Sequence, residues 1–320
     1  MRVGPLLWQG IRHLAAWLRR DQCGNAVVLV AAGMTVILGA GSLVVDYGQL
    51  TATRAKLQNA ADAAALAGAA RLALDDRADA ALAVAADYLA LNGIQDGAFA
   101  VFPREVQVEA WREVPYTLGR ALGLTSATIR ASSRARYLPV SRFRGAAPLT
   151  VRREDFVYGQ YVTLKVAQWE DGWLGSGRCG ALRLGGQGAN IYEENLRYGY
   201  QGYLRVGDVV DTKPGNMSGP TVRGIDYRLG ACPHDPACTI NCWERGCPRV
   251  LLVPVSEPCG WDGGEVKKVR ITGFAAFLVQ DAVGTGNDCE IYGYFIRTVT
   301  AGQGDDGQTS YGVLTVKLVG

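Results

Sequence analysis

From Ala26 to Val45 the chain reads AVVLVAAGMTVILGAGSLVV, an unbroken run without a single charge. At ~1.5 Å per residue such a run spans about 30 Å as a helix, the thickness of a bilayer's hydrocarbon core. Arg12, Arg19 and Arg20 precede it and Asp46 follows it. That asymmetry predicts a membrane-spanning helix with a cytoplasmic amino terminus and everything after Asp46 outside. A cleaved signal peptide is the competing reading, but the run is longer than the usual apolar core of one, and its only small-residue exit is GAGS around Ala40. Upstream, Leu6, Leu7, Trp8, Ile11, Leu14, Trp17 and Leu18 interleave with arginines. This pattern suits a segment lying on the inner leaflet or a simple basic leader.

The helical pattern continues past Asp46. DYGQLTATRAKLQNAADAAALAGAARLAL contains no Pro and no strong turn signal. Leu57, Ala61, Ala64 and Gly68 recur at the four-three-four spacing of one helix face, with Arg54, Gln58 and Asp62 on another. A face of small residues lets a second backbone approach closely. Two partners are open: the helix expected over ALAVAADYLALNG, which ends at Asn92-Gly93, or another subunit.

Downstream the period shortens. Within AFAVFPREVQVEAWREV, Val106, Val108 and Ala110 alternate with polar neighbours, as in a half-buried strand. PYTLGRALG reads as a short helix and ATIRASSRARY as another strand, giving a membrane-proximal α+β unit over 46–145. Arg142 to Pro148 reads as its link to the remainder. From about residue 150, YVTLKV, GALRL, YLRVGDVV, RVLLVPV, KVRITGFAAFLV, EIYGYFIRTV and VLTVKLV are separated by turn residues. They predict a predominantly β domain over 150–320 with two short helices, IYEENLRYGY and TVRGIDYRL, and with RVLLVPV and GFAAFLV at its centre. The expected class is α+β: a basic leader (1–25), a transmembrane helix (26–45), the helix-strand unit and a β-rich extracytoplasmic domain.

Composition narrows the partners. The 320 residues carry 33 Lys and Arg against 30 Asp and Glu, a net charge of +3, with no basic stripe, so no nucleic-acid partner is expected. Catalytic chemistry has little to work with. The two histidines are His13 in the leader and His234 in a Pro- and Asp-rich loop, so any Cys/His or Ser/His pair outside must use His234. Glu193 and Glu194 are adjacent and diverge on a helix, as a solvated face would. The loop KPGNMSGPT, with Gly215, Asn216, Ser218 and Gly219, fits either a tight turn or an amide cradle for an anion or carbonyl, with Thr221 beginning the next helix. No catalytic residue, metal ligand or cofactor site is assigned.

Cysteine usage points to compartment. Cys23 lies at the inner edge of the span, whereas Cys179, Cys232, Cys238, Cys242, Cys247, Cys259 and Cys289 all fall in the outer region. Several crowd into CPHDPACTINCWERGCP beside a histidine, which admits a zinc site, but the spacings are not those of paired C-x-x-C knuckles. An oxidising compartment favours disulfides, so these seven are disulfide candidates, with Cys238–Cys247 the first pairing expected and one cysteine left over.

The segment CGNAVVLVAAGMTVILGAGSLVVDYGQLTATRAKLQNAADAAALAGA resembles the amino-terminal region of the TadE/TadG-like family of Flp (tight-adherence) pilus-assembly proteins. Gly24-Asn25 opening the apolar run, Asp46 to Gly48 closing it, and QNAADAAALAGA from Gln58 to Ala69 carry the likeness. More weakly, LRLGGQGANIYEENLRYGYQG, VGDVVDTKPGNMSGPT, CPRVLLVPV, VRITGFAAFLV and IYGYFI resemble the outer region of some TadG-like proteins. The family's processed pilin-like members carry a Glu five residues beyond the cut; here that place after Gly24 is Leu29, so the resemblance is to the uncut TadG kind. It implies a single-pass accessory or structural component in the bacterial inner membrane. Its partners would be pilins or other pilus-assembly proteins, with room for a homo-oligomer, and it would have no enzymatic activity. The competing class is a membrane-tethered extracytoplasmic metal-binding or hydrolytic enzyme.

Overall fold

The computed structural model describes residues 22–319 apart from 153–157, 167–177, 214–216, 264 and 286–287. The basic leader, with His13, and the loop residues Gly215 and Asn216 lie outside the described residues.

A single helix, α1 (Gln22–Asp75, 54 residues), carries both the apolar run and the alanine-rich stretch without a break. Helix α1 ends where Asp76 adopts a left-handed φ of 56°, and α2 (Ala78–Leu91) folds back along it as an αα-hairpin. The buried face of α2 is Ala81, Ala85 and Leu89, spaced by one turn each. On α1, Leu57, Ala61, Ala64 and Gly68 are buried, together with Ala60, Ala65, Ala69 and Leu72. Of the two partners open from sequence, the structure supplies α2 of the same chain, and it adds a sheet. A Cβ placed on Gly68 would stand 3.1 Å from the Ala85 methyl, 3.1 Å from Val106 Cγ1 and 3.2 Å from the Ala81 carbonyl, so this one residue lets helix, helix and sheet close together.

That sheet begins with β1 (Gly97–Phe102) and β2 (Glu105–Pro115), antiparallel partners where the alternation in sequence predicts one strand. The turn between them uses Arg104 at φ 63°. Strand β2 then pairs with β3 (Ser126–Arg144) from Glu105↔Arg136 to Pro115↔Ser126. Val106, Val108 and Ala110, with Ala131 and Ala135, face the α1 seam. Strand β3 runs through Arg144, into the stretch expected to be a link. The residues after it are locked in place: Gly145 N–H donates to the Tyr200 carbonyl (2.9 Å) and Ala147 N–H to the Leu252 carbonyl (2.8 Å).

The connection from β2 to β3 carries a 3-10 turn (Gly119–Leu122) that sits on α1. Asp46, at the end of the apolar run, accepts three backbone N–H groups there: Thr117 (2.8 Å) and Leu118 (3.3 Å) on Oδ1, and Gly119 (2.7 Å) on Oδ2. Burial alone would raise its pKa, but the three donors outweigh burial and hold the carboxyl below the ordinary carboxylate value.

The remaining strands are β4 (Leu149–Thr150), β5 (Tyr161–Val166), β6 (Arg178–Ala181), β7 (Tyr203–Arg205), β8 (Val209–Asp211), β9 (Val250–Asp262), β10 (Glu265–Thr285), β11 (Asp288–Ile296), β12 (Thr298–Val299), β13 (Gln303–Gly304) and β14 (Val313–Val319). Three of these elements join the first sheet from the far end of the chain: β14 pairs antiparallel with β3, β12 parallel with β14 and β13 antiparallel with β3, while β7 also pairs with β3. The second sheet runs β4-β6-β5-β11-β10, with β8 and β9 also on β10. It closes on itself, because Val151 N–H donates to the Pro254 carbonyl (3.2 Å) and Ser256 N–H to the Val151 carbonyl (3.2 Å), joining β9 back to the β4 segment.

The ring explains the apolar run GFAAFLV. On β10, Ala275, Phe277 and Val279 point into the ring with Leu164, Ile291 and Phe295, while Phe274, Ala276 and Leu278 pack outward with Val140, Phe143 and Val313. A strand covered on both faces has no polar alternation to show. Gly293 of β11 faces it because a Cβ there would fall 2.2 Å from the Leu278 carbonyl. Helices α3 (Ala189–Tyr198) and α4 (Ser218–Gly230) cover one opening, contributing Tyr192, Leu196 and Ile225 to the inner core.

Two outcomes follow from this packing. Ala64→Leu forces a larger side chain into the α1 seam and should cost on the order of 1–3 kcal/mol, whereas Asp62→Leu, on the partly exposed face, should cost less. Denaturant unfolding of the detergent-solubilised chain measures both, and equal losses would show that the seam is not tightly packed. Asp46→Ala removes the acceptor for Thr117, Leu118 and Gly119, so trypsin should cut after the exposed Arg120 faster than in the native chain. Because the folded pKa is lowered, the Asp46 contribution is full at neutral pH and fades only as pH falls below the ordinary carboxylate range. Unchanged cutting in Asp46→Ala would contradict the anchoring role.

Candidate functional site

Two features stand out from the head: the uncovered half of α1, and a cluster of sulfur and imidazole ligands. On the first, Val27, Leu29, Val36, Ile37 and Leu43 are each about 70% exposed, and no described residue of the head covers them. Water would penalise this surface heavily, since each buried CH2 is worth about 0.8 kcal/mol. The Thr35 hydroxyl in the middle of the stem donates back to the Ala31 carbonyl (2.8 Å), so its hydrogen needs no water. Tyr47, exposed at the end of the run, suits the polar boundary of a bilayer. The stem is long and apolar enough to cross a membrane.

The second feature lies in the loop 231–249 between α4 and β9. Cys232, His234, Cys238 and Cys247 bring their ligand atoms within 4.8 Å of one another. Cys247 Sγ lies 3.5 Å from Cys232 Sγ, and His234 Nδ1 lies 3.2 Å from Cys238 Sγ and 3.6 Å from Cys232 Sγ. The far nitrogen of the ring, Nε2, is 3.1 Å from a Glu244 carboxylate oxygen. Burial works against a Cys232 thiolate, yet the N–H groups of Cys238 and His234 and the His234 ring outweigh it and bring the thiol down to about 6. Burial pushes Cys247 up to about 12.

Strong ties hold this loop to the barrel. Arg228, at the end of α4 and nearly buried, donates through Nη1 to the Pro248 carbonyl (2.9 Å) and through Nε to the Leu196 carbonyl; desolvation lowers its pKa to about 10. Cys238 and Cys247 themselves pack into the outer core with Phe274 and Leu278. An arginine this enclosed had no periodic signature in TVRGIDYRL, and only the fold shows it joining α3, α4 and the loop.

The other cysteines are spread out. The seven described cysteines stand as free thiols in the structure, and Cys238 and Cys247, the first pairing expected from sequence, lie among the four clustered residues. Cys179 and Cys289 are buried on β6 and β11, which flank β5 on opposite sides. Two strand spacings, ~9.6 Å, exceed the Cα separation a disulfide tolerates. Cys242 is exposed and Cys259 half-buried on β9. Ser218 and Gly219 open α4 in its first turn, ahead of the expected start at Thr221, and Pro220 sits there without losing a helical bond. Thr221 meets the Tyr192 hydroxyl at 2.9 Å inside the core. Glu193 departs from the expected solvated face: its carboxylate pairs with Arg223 (2.7 Å) and with Arg197, and these partners lower its pKa despite partial burial.

A cleft of about 810 Å³ opens between the end of α1 and the barrel, lined by Arg71, Asp75, Tyr158, Trp243, Arg245 and Arg297 among others. Its described lining contains no histidine, cysteine or serine, so it presents no Ser/His or Cys/His pair.

No curated protein and no solved structure matches the chain. One family model does, over residues 24–71: that of the Flp pilus-assembly TadE/G-like proteins. Those boundaries enclose the exposed stem, Asp46 and the small-residue face through Gly68, the parts of α1 that the structure sets in two different surroundings. The amino-terminal helix of this chain is thus similar, over residues 24–71, to the TadE/G-like proteins of Flp pilus assembly.

Proposed function

We propose that the protein is a membrane-anchored structural component of Flp pilus assembly whose head acts outside the cytoplasm through protein-protein contacts. The observation that carries this reading is the continuity of α1, bare and apolar as far as Val45 and then buried in the head from Leu57. A helix of this build transmits position from bilayer to head without a hinge. The arginines before the span and Asp46 after it support an orientation with the head outside. Pilins and other assembly proteins are the partners the TadE/G-like segment favours. Of the TadG kind specifically, Leu29 in place of a Glu is the supporting residue. The hydrolytic-enzyme reading draws no support from the cleft, and Glu193, the better placed of the two adjacent carboxylates, is occupied by arginines.

Protease added to intact spheroplasts should digest the head and leave a short, membrane-protected amino-terminal fragment. Survival of the whole chain would overturn the orientation. Mild-detergent purification from cells expressing the pilus machinery should recover pilus-assembly proteins with the chain, and recovery of none would count against the contact role.

A further inference from the structure

We infer that Cys232, His234, Cys238 and Cys247 form a structural zinc site that serves as the core of the loop 231–249. Four ligand atoms converge, three sulfurs and one imidazole nitrogen, on one point. For tetrahedral zinc with Zn–S of about 2.3 Å and Zn–N of about 2.0–2.1 Å, the edges of the coordination tetrahedron are ~3.8 Å between sulfurs and ~3.6 Å from sulfur to nitrogen. The separation of 3.6 Å from His234 to Cys232 equals that edge, those of 3.5 Å between Cys247 and Cys232 and of 3.2 Å from His234 to Cys238 are slightly shorter, and the remaining pairs lie within 4.8 Å. A disulfide needs about 2.05 Å between two sulfurs and leaves a third thiol and an imidazole facing it unused.

The surroundings fit a metal ligand set. With Nδ1 turned to the sulfurs, the Nε2–H of His234 donates to Glu244 at 3.1 Å, the carboxylate-histidine arrangement that fixes tautomer and ring orientation around a metal. Backbone N–H groups of His234 and Cys238 reach Cys232 sulfur, as suits a negative ligand. Cys238 and Cys247 are buried, so the site has a dry inner side. Three thiolates and a histidine fill all four positions and leave none for water, so the ion is structural and supplies no catalysis.

The loop needs such a centre. It contains no helix or strand beyond the Thr239–Cys242 bridge, and its few apolar side chains, Ile240 and Trp243, lean on the barrel. Arg245 and Gly246 of the loop line a cavity of about 400 Å³ together with Leu66 and Ala70 of α1. An ion at the cluster would hold the loop in the shape that forms this wall against the barrel. Spacing concealed this in the sequence: the ligands run C-x-H-x3-C-x8-C, without a C-x-x-C pair.

The test uses the full chain, purified in mild detergent from zinc-replete cells, with metal content by mass spectrometry and cysteine state by alkylation without reduction. About one zinc per chain is expected. Cys232→Ser and Cys247→Ser should lose it, whereas Cys242→Ser, at an exposed cysteine outside the cluster, should retain it. Should the ligand variants fail to fold, the native chain still decides. Cys232, Cys238 and Cys247 should resist alkylation until a chelator is added, while Cys242 reacts at once. Glu244→Gln should keep the metal but release it about tenfold more readily to a competing chelator. Absence of stoichiometric metal, or recovery of any two cluster cysteines as an intact disulfide, would overturn the site, as would zinc retained in both ligand variants.

Discussion

The close approach of α1 to α2 and the first sheet, made possible by alanine and glycine side chains, is the contact on which the other features rest. Each alanine buries little area, so this seam gains from dense packing rather than from large apolar side chains. Its tolerance is correspondingly small, since Gly68 already has neighbours at the distance where a methyl would sit. Leu57 and Leu72 bound the seam with bulk at either end. The result is a helix that can leave a bilayer and enter a protein core without changing its backbone.

Chain topology reinforces that junction. The first sheet receives β14 from the end of the chain, so its core next to α1 is completed only when the whole head has folded. Near the end of α1, Ala73 packs with Val299 and Leu314, adding a contact from the carboxyl-terminal region to the stem helix. At the other end, Asp46 pins the β2–β3 connection where the apolar run stops. The stem helix is thereby fixed where its apolar run ends, along its small-residue face and at its tip.

Much of this was legible in the sequence because the signals are local. The apolar run, the four-three-four face, and the turn-separated β-prone runs each report on the residues that carry them. What escaped were consequences of contacts between distant residues. Asp46 reads as a charge flanking a membrane span, and only the fold shows three amides pointed at it. Arg142 to Pro148 has the glycine and proline of a link, yet β3 runs into it and hydrogen bonds to Tyr200 and Leu252 hold it. The hairpin at Pro103-Arg104 looked like one strand because alternation persists on both sides of it. The cysteines are the sharpest case: crowding was visible, but which four atoms converge depends on how a loop without regular structure folds over β10.

A single rigid unit of stem helix and head makes a direct prediction for amide hydrogen exchange of the full chain in detergent. Helix amides of residues 57–73 should be as protected as those of β10 from Phe274 to Val279 and should exchange with them in one cooperative opening. Exchange of 57–73 at the rates of a fraying segment, while β10 stays protected, would contradict the claim that the helix is built into the core of the head.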